Sequence, residues 1–280
     1  MCATPSARLW VVATPLGNLG DLSPRARDVL ASADLVLAED TRRAGLLFQR
    51  LGLPAKGFLS LYEHNEEARV EQVLAALAEG RNAALVSDAG TPLLSDPGYR
   101  LVRACRAAGL PVSPVPGPSA PIAALSACGL PPLPFVFLGF LPRKDGDIRR
   151  LLETYAALPA TLVFFERKTR LSSTLALAAE VLGPREFCVA RELTKEFEEF
   201  VRGRLDALDA LPEEFLGEIT VVLGPPETPA KLTEEALLDL LREESARGGK
   251  PREVARRAAS RAPGWSAKET YDKLRGLRED

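Results

Sequence analysis

From Leu9 onward, short apolar runs alternate with longer stretches in which apolar positions recur at helical spacing. Leu9–Ala13 (LWVVA), Leu35–Ala38 (LVLA), Phe58–Tyr62, Ala83–Val86 and Val112–Val115 are short and apolar, and are predicted to be buried strands. Helices are predicted between them. Ser23-Pro24 supplies an N-cap and an N1 proline for a helix running toward Ala31. Asp40 or Thr41 caps the next, which stops at Gly52. Glu66–Glu79 places Val70, Val73, Leu74 and Leu77 on one face before Gly80 ends it, and Gly98–Ala108 forms another. Strand-helix alternation of this kind implies βαβ units and a parallel sheet.

Proline-rich sequence at Pro131, Pro132 and Pro134 marks a passage between domains. A second block follows: strand Phe135–Leu141, helix Asp147–Ala157, strand Thr161–Phe165 and helix Ser172–Leu182. Extended segments at Phe187–Ala190, Phe197–Arg202 and Ile219–Leu223 complete it. Pro225-Pro226 and Thr228-Pro229 break the pattern. Three short helices are predicted beyond them: one capped by Thr233, one over Pro251–Ser260, and one opened by a Ser266/Glu269 capping box. Tight turns between short helices suit a helix-turn-helix-like module. The expected organisation is an α/β domain over 1–130, a second over 131–227 and a helical tail over 228–280.

Composition narrows the chemistry. With 280 residues, 46% hydrophobic and 26% charged, the chain can bury a core, which excludes a disordered polypeptide. It holds one histidine, His64, so a zinc site built on several histidines is excluded and no metal is expected. Cys2, Cys105, Cys128 and Cys188 are widely spaced and are expected to be buried free thiols. The first residues, MCATPSARL, contain no long apolar run, and no segment reaches the length of a membrane span, so a cytoplasmic protein is expected. The net charge of −2 averages unlike parts: Arg247–Arg278 holds ten Lys/Arg against three acids, a local +7.

Ligands of open α/β sheets gather beyond the carboxyl ends of the strands. Five strand-end loops are candidates: Thr14–Asp21 (TPLGNLGD), Glu39–Arg43 (EDTRR), Glu63–Asn65 (EHN), Ser87–Gly98 (SDAGTPLLSDPG) and Pro116–Ala120 (PGPSA). The fourth is the most distinctive, a rigid polar segment directly after an apolar strand. Each alone is also an ordinary turn or helix cap; five in one half favour a small-molecule cleft.

Together these loops resemble the tetrapyrrole methylase superfamily, S-adenosylmethionine-dependent enzymes built from two α/β domains with the cofactor cleft between them. Within it, the chain looks like the 16S ribosomal RNA cytidine-2′-O-methyltransferases. VATPLGNLGD, AEDTR, EHN, SDAGTPLLSDPG, PGPSA, FFER at Phe164–Arg167 and ARELTKEFEE at Ala190–Glu199 carry the resemblance in order. Porphyrin-type methylases have Gly-Asp-Pro where this chain has Gly90-Thr91-Pro92. That substitution argues against the alternative of a porphyrinoid C- or N-methylase; a non-catalytic RNA-binding assembly factor is a further alternative.

Carried over by position, the resemblance puts Pro15 and Leu16 in the cleft and Thr91 and Leu94 at the methionine part of S-adenosylmethionine. Ser119 and Ala120 fall beside its methionine end, with Phe165, Leu193 and Thr194 around the adenosine. A base that accepts the ribose hydroxyl proton is expected to be Asp40 or His64, with Asp88 a third candidate and Lys195 an electrostatic helper. The implied partner is 16S rRNA or the small ribosomal subunit, and the superfamily implies a homodimer. Arg252, Arg256, Arg257 and Arg261 in the basic tail are candidate phosphate contacts.

Overall fold

A computed structural model describes residues 7–54, 57–62, 65–208, 215–227 and 232–279. Met1–Pro226 forms one compact unit and Glu227–Asp280 a second. In the first unit, β1 (Leu9–Val12), β2 (Leu35–Ala38), β3 (Gly57–Ser60), β4 (Ala83–Val86) and β5 (Val112–Val115) make a parallel sheet in the order β3-β2-β4-β1-β5. Helices cover both faces, as strands apolar on both sides require. α1 (Pro24–Ser32) and α2 (Thr41–Leu51) bury Leu30 and Phe48 against Val12, Val36 and Val86. α3 (Glu66–Ala78) and α4 (Tyr99–Ala107) bury Val73 and Leu101 against Leu9, Leu37 and Leu85 on the other. Neighbouring strands β1 and β4 send their chains in opposite directions, toward β2 and β5. Their carboxyl ends therefore frame a topological switch point.

The second sheet has the order β6-β7-β10-β8-β9 and is mixed. β6 (Phe135–Phe140) and β7 (Thr161–Glu166) are parallel, joined by α6 (Asp145–Tyr155). After α7 (Leu171–Leu182), β8 (Glu186–Arg191) and β9 (Glu199–Arg204) form an antiparallel pair, and β10 (Ile219–Leu223) inserts between β7 and β8. Alternate residues face opposite sides. Leu162 and Phe164 pack under α6 and α7, while Val163 faces α5 (Ala120–Ala127). So α5, which follows the last strand of the first sheet, covers the second, on the far side of the connection expected at residue 130. Cys105, Cys128 and Cys188 are buried free thiols, as expected, and Cys2 lies outside the described residues.

The second unit consists of α8 (Glu234–Ala246), α9 (Pro251–Arg261) and α10 (Ala267–Glu279) around Leu237, Leu241, Val254, Ala258 and Leu274. The capping box at Ser266 is present: the Glu269 amide donates to Ser266 Oγ at 3.2 Å and the Ser266 amide to Glu269 Oε2 at 2.8 Å. Among the described residues, no helix is long and apolar enough to cross a membrane.

The loop after β1 meets the second sheet's side of the unit through Lys195. A Cβ on Gly17 would sit 2.2 Å from Lys195 Cγ, and the Asn18 amide donates to Thr194 Oγ1 at 3.1 Å. Lys195 is held in place by Glu192 Oε1 and Glu218 Oε2, each 2.9 Å from Nζ. The close approach therefore requires the missing side chain. Gly17→Ala forces the Lys195 stem aside, an overpacking cost of about 1–3 kcal/mol. A fall of several degrees in thermal midpoint is expected; an unchanged midpoint would show that Lys195 does not seat against this loop.

Candidate active site

At the switch point the loops after β1 and β4 are stitched together by backbone. The Thr14 amide donates to the Gly90 carbonyl at 2.8 Å and the Gly90 amide to the Thr14 carbonyl at 3.0 Å. Thr14 Oγ1 donates to the Ser87 carbonyl at 3.2 Å, and Ser87 Oγ to the Gly90 carbonyl at 3.1 Å. Gly90 has φ +79°, and a Cβ there would lie 3.1 Å from Leu16 Cδ2, so the tight turn against Leu16 calls for glycine. Thr91 Oγ1 then donates to the Pro118 carbonyl at 2.9 Å, tying this loop to the one after β5. The far end is fixed by buried Glu66, whose Oε1 accepts from the Arg100 and Leu101 amides at 2.8 and 3.2 Å at the start of α4.

Backbone strain concentrates here. Among the described residues, the non-glycine positions with positive φ are Leu93 (73°), Ser95 (72°), Glu192 (52°) and Thr194 (66°). Two belong to the loop after β4 and two to the loop after β8. Such conformations cost about 1–3 kcal/mol each and persist where their surroundings over-determine them. The bracing does so for the first pair. For the second, Glu192 Oε1 accepts from the Glu218 amide and from Lys195 Nζ, both at 2.9 Å. The Glu218 hydrogen bond, then Lys195, holds the Glu192 carboxyl below its ordinary range.

Between these two loops lies a cleft of about 680 Å³, the size of a nucleotide-type ligand site. The first sheet's side contributes Leu16, Asp88, Gly90, Thr91, Leu94 and Asp96; the start of α5 contributes Ser119 and Ala120. Phe140, Phe165, the segment 166–169, Leu193 and the segment 217–220 close the other side. Seven of the nine cofactor residues expected from sequence, Leu16, Thr91, Leu94, Ser119, Ala120, Phe165 and Leu193, are on this wall. Pro15 is buried and off this wall, and Thr194 joins the two loops through Asn18. Phe140, half exposed and 5.2 Å from the Phe165 ring, was not singled out by sequence, because nothing in its strand distinguishes it.

Asp96 was legible only as part of its motif. Burial, reinforced by the charges of Glu39 and Asp88, pushes its carboxyl up to about 6. Glu39 is also raised, first by burial and then by Asp88. Asp88 Oδ2 accepts from Arg43 Nη1 at 3.1 Å.

The expected bases fare differently. Asp40 caps α2, accepting from the Arg42 amide at 2.9 Å, and pairs with the Arg42 guanidinium at 2.8 Å. Those bonds push its carboxyl down to about 2, which makes it a poor proton acceptor, and it does not line the cleft. His64 lies outside the described residues. Lys195 is engaged by Glu192 and Glu218 and is likewise off the cleft wall.

The Tetrapyrrole (Corrin/Porphyrin) Methylases match residues 8–209. The ribosomal RNA small subunit methyltransferase I of Micromonospora olivasterospora is 43% identical over 274 residues, covering 96% of this chain and 87% of that protein. The chain belongs to the tetrapyrrole methylase family. Its sequence places it in the ribosomal RNA small subunit methyltransferase I branch. The fold agrees with that of the methyltransferase CobJ, with a TM-score of 0.61, 22% identity, and coverage of 81% of this chain and 97% of that one. It also agrees with uroporphyrin-III C-methyl transferase from Thermus thermophilus complexed with S-adenyl homocysteine. There the TM-score is 0.56 at 21% identity, over 78% of this chain and 97% of that one.

The helical unit lies beyond the family match. Of its four candidate phosphate contacts, two are spoken for. Arg257 donates from Nε to Glu244 Oε2 at 2.9 Å and from Nη2 to the Glu244 and Gly248 carbonyls. Arg261 pairs with Glu243 and Glu244. Glu244 is 1% exposed and these arginines, with Arg247, satisfy it. Arg252 and Arg256, one turn apart on α9, are exposed and unpaired among the described residues.

The acidic wall has a stability consequence. A carboxyl raised from 3.8 to about 6 binds its proton more tightly in the folded chain, so ionising it weakens the fold as pH rises from about 4 to about 6. Above that the penalty is complete, at about 1–3 kcal/mol allowing for its partial exposure. Asp96→Asn is therefore expected to raise the thermal midpoint at pH 8, with the gain vanishing at pH 4; a lower midpoint at pH 8 would contradict the burial and charge described.

Proposed function

We propose that the protein is an S-adenosylmethionine-dependent methyltransferase that methylates the ribose 2′-oxygen of a cytidine in the decoding centre of 16S rRNA. The observation that carries this reading is 43% identity, maintained along 96% of the chain, to a ribosomal RNA small subunit methyltransferase I. The cleft fits the cofactor. Phe140 and Phe165 offer aromatic faces for adenine, and the turn at Gly90 brings backbone close to the ligand space. Asp88 and Asp96 offer negative charge to a sulfonium. Thr91, Leu94, Ser119 and Ala120 would hold the methionine part, and Phe165 and Leu193 the adenosine.

When bound, S-adenosylmethionine supplies an electrophilic methyl group. The remaining work falls to the chain: keeping the ribose oxygen in line at near-attack distance, excluding water, and accepting a proton. Asp96 is the acceptor in this reading, because it lines the cleft and its carboxyl titrates close to working pH, where a base is most effective. Asp88, paired with Arg43 at 3.1 Å, is assigned the positioning of the hydroxyl. Asp96 would accept the hydroxyl proton as the ribose oxygen takes up the methyl group. Thr91, committed to the Pro118 carbonyl, braces a loop, which supports the RNA branch over a porphyrinoid substrate. The substrate would place the protein in the cytoplasm, and a homodimer, as the resemblance implies, is proposed and is readable by light scattering.

Incubation with methyl-labelled S-adenosylmethionine and assembled 30S particles, naked 16S RNA or a porphyrinogen tests the assignment. Label is expected in RNA at one cytidine ribose. Label in the porphyrinogen would establish the porphyrinoid alternative, and no transfer with retained RNA binding would indicate an assembly factor. Turnover is expected to rise with pH through about 6, and Asp96→Asn to lower it by about 10²–10⁴-fold.

The helical unit is proposed to contact RNA phosphates through Arg252 and Arg256. Replacing both with Ala should weaken RNA binding and reduce the slope of log affinity against log salt by about 1 to 2, without changing cofactor affinity. An unchanged slope would remove this role.

A further inference from the structure

Beside the cofactor cleft, a second cavity of about 530 Å³ opens at the ends of β2 and β3, lined by Glu39, Asp40, Arg42, Arg43, Tyr62 and Asp88 among others. Asp88 is the residue that lines both spaces, so the cavities share a wall there. Its charges are layered. The side chains of Arg42 and Arg43 are 90% and 67% exposed, whereas those of their partners Asp40 and Asp88 are 28% and 26% exposed. Beneath the exposed guanidiniums lie the carboxylates of Asp40 and Asp88, while Glu39 is itself exposed. Tyr62 is 44% exposed on the same cavity, an aromatic face open to solvent.

We infer that this cavity seats the target nucleotide of a single-stranded RNA segment, with Arg42 and Arg43 receiving its phosphates and Tyr62 stacking on its base. The inference rests on the rRNA reading above and adds to it a location and a recognition chemistry. Each part follows from general behaviour. Guanidinium forks match phosphate oxygens, and unpaired RNA bases splay onto aromatic side chains. A nucleotide seated here directs its sugar toward Asp88, the wall shared with the cleft, where the 2′-hydroxyl comes within reach of the methyl donor and the acidic residues. The deeper carboxylates suit a hydroxyl and repel a phosphate. They therefore fix the orientation: phosphate at the mouth, sugar inside.

Tyr62→Ala and Arg43→Ala are tested with 30S particles and labelled S-adenosylmethionine, beside wild type and Arg149→Ala, which removes a cation paired on α6 with Glu180. Both cavity variants are expected to raise KM for the particle about tenfold or more. Their Kd for S-adenosylmethionine by calorimetry should stay within twofold of wild type, and Arg149→Ala should leave KM unchanged. Thermal midpoints within a degree or two exclude a folding defect as the cause, and Tyr62→Phe is expected to restore KM, since stacking needs the ring alone. Wild-type transfer with KM unmoved in both cavity variants would overturn the inference and leave the rRNA reading standing. A wild type that transfers methyl to neither 30S particles nor 16S RNA would overturn that reading and the inference with it.

Discussion

Two backbone hydrogen bonds, between Thr14 and Gly90, fix the geometry on which the rest of the site depends. They join the carboxyl ends of β1 and β4 at the point where the chain departs in opposite directions, and being backbone to backbone they need no side-chain donor or acceptor. With Thr14 and Ser87 hydroxyls added, the loop after β4 is over-determined, which lets Leu93 and Ser95 adopt left-handed backbone. The same arrangement recurs across the cleft, where Glu192 is gripped by the Glu218 amide and Lys195 while its own backbone and that of Thr194 are strained. A cleft between two braced, strained loops is organised before any ligand arrives. Binding then costs little loop ordering, the condition under which positioning accelerates a displacement.

Charge is used in two distinct ways in the chain. Around the cleft, Glu39, Asp88 and Asp96 are crowded together, at a cost to stability that relaxes when Asp96 is protonated. That is the kind of expense found at functional sites. In the helical unit, by contrast, buried Glu244 is satisfied by Arg247, Arg257 and Arg261, so a large share of the local positive charge serves cohesion. The basic character of that segment therefore overstates its free positive charge, which is carried mainly by exposed cations such as Arg252 and Arg256.

Local patterning carried much of the architecture. All five strands of the first sheet, the helices between them and the Ser266 capping box are visible as apolar runs, caps and glycine stops. The mixed order of the second sheet is not, because the insertion of β10 between β7 and β8 depends on contacts distant in sequence. The strand expected at Phe197–Arg202 forms at Glu199–Arg204, since the hydrogen bond of the Thr194 amide to Glu198 Oε2 keeps residues up to 198 in the strained loop. Helix α5 follows the first sheet in the chain yet covers the second, which only packing reveals. At the site, positions tied to loop motifs were legible. What a side chain does once there was less so: Asp40 reads as a base until Arg42 claims it, and Asp96 reads as one of two loop aspartates until Glu39 and Asp88 surround it.

In this reading one cleft, walled by both sheets' loops, receives S-adenosylmethionine. Calorimetric titration of the cofactor into wild type and Ser119→Trp tests it most directly, because Ser119 lines the cleft, its φ of −148° tolerates any side chain, and its hydroxyl makes no helix-capping bond. One site per chain is expected in wild type, with loss of binding in a variant that keeps the wild-type melting temperature. Equal affinity in the two folded proteins would contradict it.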